Sequence, residues 1–275
     1  MFRKQLLAHL LASATLIFAA DPLYQAKGDH TRTYVHPDAK EPQPYRVFVP
    51  SAWAPGKALP MVVVLHGGGS NQNTPFERND NILAKEAEKH GFIVVSPLGG
   101  GPSGGYGSSY SPVFAPGANR PAPNPNASNP KATPDTPARR ISESDVIAVT
   151  ERTADEYGVD RKRIYLMGNS MGSMGTLYLA QKYQNKWCAI GPSDGPVVPS
   201  SFEYDRVKYL SGAIFVHGDN DTLASIDATK EMVERFRKAG IETKFVEVKG
   251  GTHTGSWADV LPGTFDFFDA HRCGR

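Results

Sequence analysis

Residues 164–175 read Ile-Tyr-Leu-Met-Gly-Asn-Ser-Met-Gly-Ser-Met-Gly, and this stretch decides the fold. Its first four residues are apolar and predict a buried strand, whereas the composition of residues 171–183 is typical of a helix. Ser170 stands at the turn between the two, in the pattern G-x-S-x-G. We interpret Gly168 and Gly172 as positions where a side chain would collide with the neighbouring strand and helix. Such a strained turn exposes the serine hydroxyl. A plain glycine-rich turn is the alternative, since the chain has 27 glycines.

A second glycine-rich stretch follows another predicted strand. Residues 61–65 form a continuous apolar run, as expected of a strand covered on both faces, and His-Gly-Gly-Gly follows at 66–69. A backbone amide reaches a ligand closely only where no Cβ intervenes, so we expect Gly68, and after it Gly67, to donate to an oxyanion. The amide of Met171, at the start of the helix after the serine, is the expected second donor.

Two candidate partners for Ser170 follow later predicted strands. Asp221 lies just after the strand at 213–216, and His253 lies in the glycine-rich loop after the strand at 243–248. A serine hydroxyl is a weak nucleophile until an imidazole takes its proton, and a carboxylate fixes the imidazole tautomer. The three residues therefore form a candidate triad. Asp194, Asp219 and Asp227 are alternative acids, and a helix-capping or calcium-binding role for Asp219 and Asp221 stays open. Three further histidines, His66, His217 and His271, are interpreted as structural or peripheral.

Strands and helices alternate along the chain, which predicts an α/β fold with a mostly parallel sheet and helices on both faces. We expect residues 21–275 to form one domain, with a Pro/Gly-rich insert at about 97–138. The helix that precedes the serine strand is predicted to start at a capping box made by Ser142 and Asp145. Predicted strands lie at 31–35, 45–50, 61–65, 92–96, 164–167, 187–191, 213–216 and 243–248, and the other predicted helices at 81–90, 171–183, 225–239 and 260–270.

The first part of the insert, residues 98–114, is interpreted as a wall of the active site, and residues 115–137 as a surface excursion. Tyr106 and Tyr110 in this wall, together with Trp257 four residues after the candidate histidine, are the predicted substrate-binding residues. Their aromatic rings would line an acyl or aromatic pocket. Packing in the core or at its rim is the alternative role for all three side chains.

Residues 1–20 have the composition of a secretory signal peptide: Arg3-Lys4 precede a largely apolar stretch that ends at Ala19-Ala20. A membrane-anchoring helix is the alternative, but the 15 residues from 6 to 20 are short for a span. We therefore expect a secreted or periplasmic protein with no stable membrane anchor once the signal is removed. In an oxidising compartment Cys188 and Cys273 would form a disulfide, and a buried free thiol is the alternative for Cys188.

Composition excludes some classes of partner. The formal net charge is +2 and no basic stripe is present, so we expect no nucleic acid. No cysteine and histidine spacing typical of a metal site occurs, and we expect neither metal nor cofactor. The sequence leaves the oligomeric state open.

The motifs at 66–69, 157–172 and 217–221 and the loop at His253 resemble those of secreted α/β-hydrolase serine esterases. The similar types are feruloyl esterases, polyhydroxyalkanoate depolymerases and related carbohydrate esterases, and the resemblance covers about residues 45–270. It implies an α/β-hydrolase fold and a serine carboxylesterase that acts through an acyl-enzyme on a small-molecule or polymeric ester. The chain departs from many such relatives at Asn169, where they have His, and at Ser173, where they have Gly.

Two other functions are compatible with the same residues. Catalytic domains of prolyl-oligopeptidase-like peptidases resemble the chain more distantly, so a secreted serine peptidase is one alternative. A catalytically silent α/β-hydrolase that serves as a binding protein is the other. Comparing the hydrolysis of esters with that of peptides distinguishes an esterase from a peptidase. Labelling by an organophosphate serine probe distinguishes either enzyme from a catalytically silent binding protein.

Overall fold

A computed structural model describes residues 24–101, 104–118 and 135–273. The predicted signal peptide at 1–20 and most of the predicted surface excursion lie outside these residues. Eight strands form one sheet in the order β1-β2-β4-β3-β5-β6-β7-β8. They are β1 (Gly28–Tyr34), β2 (Gln43–Val49), β3 (Met61–Leu65), β4 (Ile93–Pro97), β5 (Ile164–Asn169), β6 (Ala189–Ser193), β7 (Gly212–Gly218) and β8 (Thr243–Val248).

The sheet is mostly parallel, as predicted. The β1–β2 and β2–β4 pairs are antiparallel, and all pairs from β4 through β3 to β8 are parallel. Helices pack on both faces, which confirms the α/β fold expected from the sequence. They are α1 (Thr74–Glu77), α2 (Ile82–His90), α3 (Pro137–Tyr157), α4 (Met171–Lys182), α5 (Ile226–Lys238), α6 (Ser256–Asp259) and α7 (Leu261–Ala270).

The alternation of side chains along each strand divides the core into two layers. On β5, Ile164 and Leu166 belong to the layer covered by α3, α4 and α5, whereas Tyr165 and Met167 belong to the layer covered by α1, α2 and α7. All six residues of β5 are buried. The central strands are therefore covered on both faces, which is why they are continuous apolar runs in the sequence.

The predicted capping box at Ser142 is wrong, because α3 begins earlier, at Pro137, with the Thr136 side chain accepting a hydrogen bond from the Arg139 amide. Ser142 lies inside the helix, and its hydroxyl donates to the Gly99 carbonyl. The Asp145 carboxylate accepts the Gly99 amide at 2.7 Å and the Tyr34 hydroxyl at 2.6 Å. Both side chains therefore anchor neighbouring segments to α3 instead of capping it.

The predicted strand at 187–191 is shifted towards its carboxyl end, since β6 spans Ala189–Ser193. Trp187 packs instead beneath α4, where its indole nitrogen donates to the Leu179 carbonyl at 3.2 Å. Because β6 ends at Ser193, both Ser193 and Asp194 lie at the carboxyl edge of the sheet, beside the end of β5. Within the described residues, none of the helices combines the length and the apolar composition that a membrane span requires.

Candidate active site

Ser170 occupies the sharp turn between β5 and α4. Its φ of +57° and ψ of −114° are rare for a residue other than glycine. A Cβ on Gly168 would lie 2.5 Å from the Gly172 carbonyl oxygen, and one on Gly172 would lie 2.1 Å from the Leu65 carbonyl oxygen. These approaches leave room only for glycine. The turn therefore depends on both glycines, for the steric reason expected from the sequence.

The three predicted triad residues meet at the carboxyl edge of the sheet. The Nε2 atom of His253 lies 2.8 Å from the Ser170 hydroxyl oxygen. Its Nδ1 atom lies 2.8 Å from Oδ2 of Asp221. Ser170 follows β5, Asp221 follows β7 and His253 follows β8, so the parallel strands deliver the three side chains to one crevice.

The Asp221 side chain is fully buried and is surrounded by hydrogen-bond donors. Its Oδ1 accepts the Leu223 amide at 2.8 Å and the Ala224 amide at 2.9 Å. Nε2 of His217 lies 3.3 Å from its Oδ2. Burial by itself raises the pKa of the Asp221 carboxyl, but His217, His253 and the two amides outweigh it and hold that pKa below its usual range. Asp221 is therefore an ionised partner for the imidazole.

A second buried carboxylate, Asp194, lies beneath this chain. Its Oδ1 accepts the Gly218 amide at 3.0 Å, and its Oδ2 accepts from Nδ2 of Asn169 at 3.0 Å. The same Asn169 nitrogen lies 3.2 Å from the His253 carbonyl oxygen. Burial, which disfavours the charged form, raises the pKa of Asp194 to about 6. Asn169 therefore ties the serine strand to the loop that carries the imidazole.

The ligand atoms of Asp194, His217 and Asp221 lie within 4.8 Å of one another, close enough for a metal site. Backbone amides and the Asn169 side chain already occupy much of the carboxylate surface. His217 also binds the Thr229 hydroxyl through Nδ1, at 2.8 Å. We therefore interpret the cluster as support for the triad. Sequence reasoning treated Asp194 only as a rival acid and His217 as structural, because their convergence depends on the strand order.

The predicted oxyanion loop lies directly beside the serine. A Cβ placed on Gly67 would be 3.7 Å from Cβ of Ser170, and one on Gly68 would be 4.0 Å from Cβ of Met171. His66 precedes these glycines, is 2% exposed, and places its Nε2 2.9 Å from the Leu98 carbonyl oxygen. The backbone at Gly67 and Gly68 thus lies close to Ser170 and Met171, and the oxyanion role of these amides stays a prediction.

The predicted substrate contacts of Tyr106 and Tyr110 need correction. Tyr106 is fully buried, and its hydroxyl donates to the His66 carbonyl at 3.0 Å, so it supports the oxyanion loop from behind. Its ring fills the space that glycines 99 and 175 leave open. Tyr110 is half-buried and packs against Tyr178 and Phe202. Among the described residues, neither tyrosine lines the cavity at Ser170.

A cavity of about 270 Å³ opens beside Ser170 and His253. Trp257, the third predicted substrate-binding residue, lines it. The cavity extends along the sheet face that α1, α6 and α7 cover, and its apolar wall is formed by side chains from strand ends and from α7, namely Val64, Met167, Val216 and Leu261. Its volume lies just below the range of about 300–1,000 Å³ that is usual for small-molecule sites, which suits one acyl group rather than a polymer chain.

The fold and this site define a class of protein: an α/β-hydrolase in which a serine, a histidine and an aspartate form one hydrogen-bonded chain. The chain belongs to the putative esterase family, whose model matches residues 39–268.

Known proteins similar to this chain include a bifunctional acetylxylan esterase/xylanase of Neocallimastix patriciarum, which is 27% identical over 191 residues. That match covers 70% of this chain but only 23% of the relative, so the chain spans about a quarter of that protein's length.

Solved structures confirm the fold. A thermostable esterase superposes with a TM-score of 0.67 at 22% identity, covering 89% of this chain and 63% of that one. A ferulic acid esterase superposes with a TM-score of 0.64 at 17% identity, covering 87% and 96%. A feruloyl esterase module from Clostridium thermocellum, complexed with sinapinate, has a TM-score of 0.62 at 17% identity, covering 91% and 92%.

Proposed function

We propose that this protein is a serine carboxylesterase that hydrolyses esters through an acyl-enzyme. The observation that carries the proposal is the unbroken hydrogen-bonded chain from Asp221 through His253 to Ser170, with 2.8 Å at each step. Membership of the putative esterase family supports it.

In the first half-reaction the Ser170 hydroxyl oxygen attacks the ester carbonyl carbon while Nε2 of His253 takes its proton. The carbonyl electrons move to the oxygen, which accepts hydrogen bonds from the amides of Met171 and Gly68. When the tetrahedral intermediate collapses, His253 gives the proton to the leaving alcohol and an acyl-serine ester remains. Asp221 stabilises the imidazolium formed in between, because its carboxylate is ionised.

In the second half-reaction water attacks the acyl-serine carbonyl, and His253 takes a proton from the water. Collapse of this intermediate breaks the bond to the serine oxygen, which recovers its proton from the imidazolium. The carboxylic acid then leaves. The burial of the Asp221 side chain supports this scheme, because it shields the carboxylate that stabilises the imidazolium from water.

The substitution Ser170→Ala tests the proposal, because it removes the nucleophile and keeps the other site residues. We expect hydrolysis of 4-nitrophenyl acetate to fall by about 10³-fold or more while the thermal unfolding curve stays close to that of the wild type. A fluorophosphonate probe should label the wild type and fail to label the variant. The control is Ser201→Ala, which changes an exposed serine that is not among the described residues lining the cavity. Retained hydrolysis in Ser170→Ala would reject the assignment.

For the substrate we propose a small acyl ester on an extracellular polymer, such as an acetyl or phenolic ester of a plant-wall polysaccharide. The small cavity supports this choice, since it fits one acyl group. The acetylxylan esterase relative and the feruloyl esterase fold neighbours are consistent with it. The test measures kcat/KM for acetylated xylan, methyl ferulate and a short polyester, and ranks these substrates by it. A dipeptide amide is included as the substrate that a peptidase would prefer. Faster turnover of the dipeptide amide than of any ester would contradict the proposal.

We also propose that the protein is exported. The charged and then apolar composition of residues 1–20 supports this placement. Expression of the full chain and of a chain without residues 2–20 tests it, with fractionation of the cells in each case. Equal retention of both chains in the cytoplasmic fraction would contradict export.

A further inference from the structure

The cavity beside Ser170 is lined by a charged residue that the reaction above does not use. Arg78 directly follows α1 and lines the cavity together with Ser70 and Thr74. No aspartate or glutamate is present among the described residues that form the cavity wall. Arg78 is therefore a cationic residue in a cavity wall to which the described residues contribute no carboxylate.

Three acidic side chains lie close to Arg78 in the sequence or in the fold. Glu77, directly before it, is exposed and acts electrostatically on Arg46. Asp80 forms an ion pair with Lys85. Asp259, which the fold brings to the same region, accepts a hydrogen bond from Nδ2 of Asn79 at 2.7 Å. Among the residues that the structure describes, Arg78 forms no ion pair and its guanidinium has no hydrogen-bond acceptor. Its five N–H groups are left for a ligand or for water.

Arg78 and Trp257 lie on neighbouring parts of the cavity wall. The hydrogen bond from Asn79 to Asp259 joins the residue after Arg78 to the last residue of α6, and Trp257 stands on that helix. Trp257 and Arg78 thus line one cavity that Ser170 also lines. A ligand bound there meets an apolar surface, a cation and the nucleophile together.

A half-buried guanidinium binds carboxylates better than an exposed one does, because part of its water shell has been removed and its planar donors match both carboxylate oxygens. We propose that this site selects esters that carry a carboxylate, which Arg78 binds while the scissile carbonyl lies at Ser170. The inference rests on the proposed esterase function and names a substrate class for it. The carboxylate belongs either to the acyl half or to the alcohol half of the ester.

Matched pairs of esters test this selectivity. In the acyl arm, mono-4-nitrophenyl esters of dicarboxylic acids of four to eight carbons are compared with the same esters capped as methyl esters. In the alcohol arm, 4-acetoxybenzoate is compared with its methyl ester. For each pair the readout is the ratio of kcat/KM for the anionic ester to kcat/KM for the neutral one, in the wild type, Arg78→Gln and Arg78→Lys.

In at least one arm we expect Arg78→Gln to lower this ratio about 10- to 100-fold, the range associated with losing a hydrogen bond to a charged group. Arg78→Lys should restore part of the ratio, since it keeps the charge and loses the fork of donors. High salt should lower the wild-type ratio and leave that of Arg78→Gln nearly unchanged. The arm that responds identifies the half of the ester that carries the carboxylate.

The matched control is Arg206→Gln, which removes the same charge from a surface arginine paired with Glu203. It should keep the wild-type ratio, because it changes only the overall charge. Equal ratios in the wild type and Arg78→Gln in both arms, with the neutral esters still hydrolysed, would overturn the selectivity and leave the esterase function standing. Absence of hydrolysis of every ester by the wild type would overturn the esterase function and this inference with it.

Discussion

Some residues around Ser170 were predictable from the sequence next to them, whereas others were not. Ser170 and Asp221 each follow a buried, largely apolar strand, and His253 lies in the glycine-rich loop after β8. The chemistry of the three side chains restricts the roles they can take. Asp194 also follows a strand, but nothing local distinguishes it from Asp219 or Asp227 as an acid. Its position beneath the imidazole loop depends on the adjacency of β5, β6 and β7.

Asp194 should leave a signature in the pH dependence of stability. Burial raises its pKa to about 6 in the folded protein, whereas an unfolded aspartate titrates near about 3.9. Between these values the folded state binds the proton more tightly, so stability falls as pH rises from about 4 to about 6 and then levels off. The expected loss is about 2–3 kcal/mol, and Asp194→Asn should remove it from a series of urea unfolding curves.

The comparison for this experiment is Asp38→Asn, since Asp38 is exposed and its substitution should keep the wild-type slope. Asp221 does not interfere within this window, because its pKa is depressed. The stability that Asp221 contributes is present above about 4 and is lost only as pH falls further. A slope in Asp194→Asn equal to that of the wild type would contradict the assignment of this proton to Asp194.

At the scale of elements, the contact between β3 and α4 holds the serine and the oxyanion loop together. The Cα of Gly172, in the first turn of α4, faces the carbonyl of Leu65 at the end of β3. The oxyanion glycines begin two residues beyond that carbonyl. A change in the spacing between this strand and this helix would therefore move the proposed nucleophile relative to the proposed oxyanion donors.

Gly172→Ala should be strongly destabilising, because the added Cβ would lie 2.1 Å from the Leu65 carbonyl oxygen and no flexible side chain can move away. We expect a loss of about 1–3 kcal/mol or more in the free energy of unfolding, together with a lower kcat. Gly263→Ala on α7 is the matched control, since its Cβ meets no atom within 4 Å. That substitution should be neutral or stabilising by up to about 1 kcal/mol. Equal stability of the two variants in urea unfolding would contradict the argument.

The insert after β4 was predicted incorrectly, because its position depends on another part of the chain. Its first part was expected to form a wall of the substrate pocket, whereas Tyr106 in this part packs behind the oxyanion loop. The reason lies in α3, whose Ser142 and Asp145 hold the insert through the backbone of Gly99. A contact between two segments about 45 residues apart leaves no recognisable pattern in the sequence of either segment.

At the scale of the whole molecule, the chain after α7 returns to the middle of the sheet. The Cys273 amide donates to the Lys162 carbonyl at 3.4 Å, and the Cys188 amide donates to the Ile164 carbonyl at 2.6 Å. Both cysteines have free thiols in this structure. Sγ of Cys188 lies 3.7 Å from the carbonyl oxygen of His271, two residues before Cys273, and Cys273 packs against the same apolar cluster as Cys188. The two cysteines therefore lie in one region of the fold, and the disulfide that the sequence left open stays a prediction.

We predict that oxidised glutathione converts these two thiols into a disulfide, with two protons and two electrons passing to the oxidant. Titration in denaturant without reductant should then find no free thiol, against two in the reduced protein. The oxidised form should be more stable by about 2–4 kcal/mol, since the bond closes a loop of about 85 residues. Cys273→Ser should abolish this difference between oxidised and reduced samples. Two titratable thiols after oxidation of the wild type would refute the pairing.

The sequence by itself determined the fold class, the order of most elements and the identity of the three residues in the hydrogen-bonded chain. These follow from local physics, because apolar runs predict buried strands and a glycine-flanked serine between strand and helix permits one kind of turn. Only the tertiary structure decided that Tyr106 is a support, that Asp194 and His217 lie beneath the triad, and that Arg78 lines the cavity. These roles depend on which strands and loops become neighbours, and that adjacency is set by packing between distant segments.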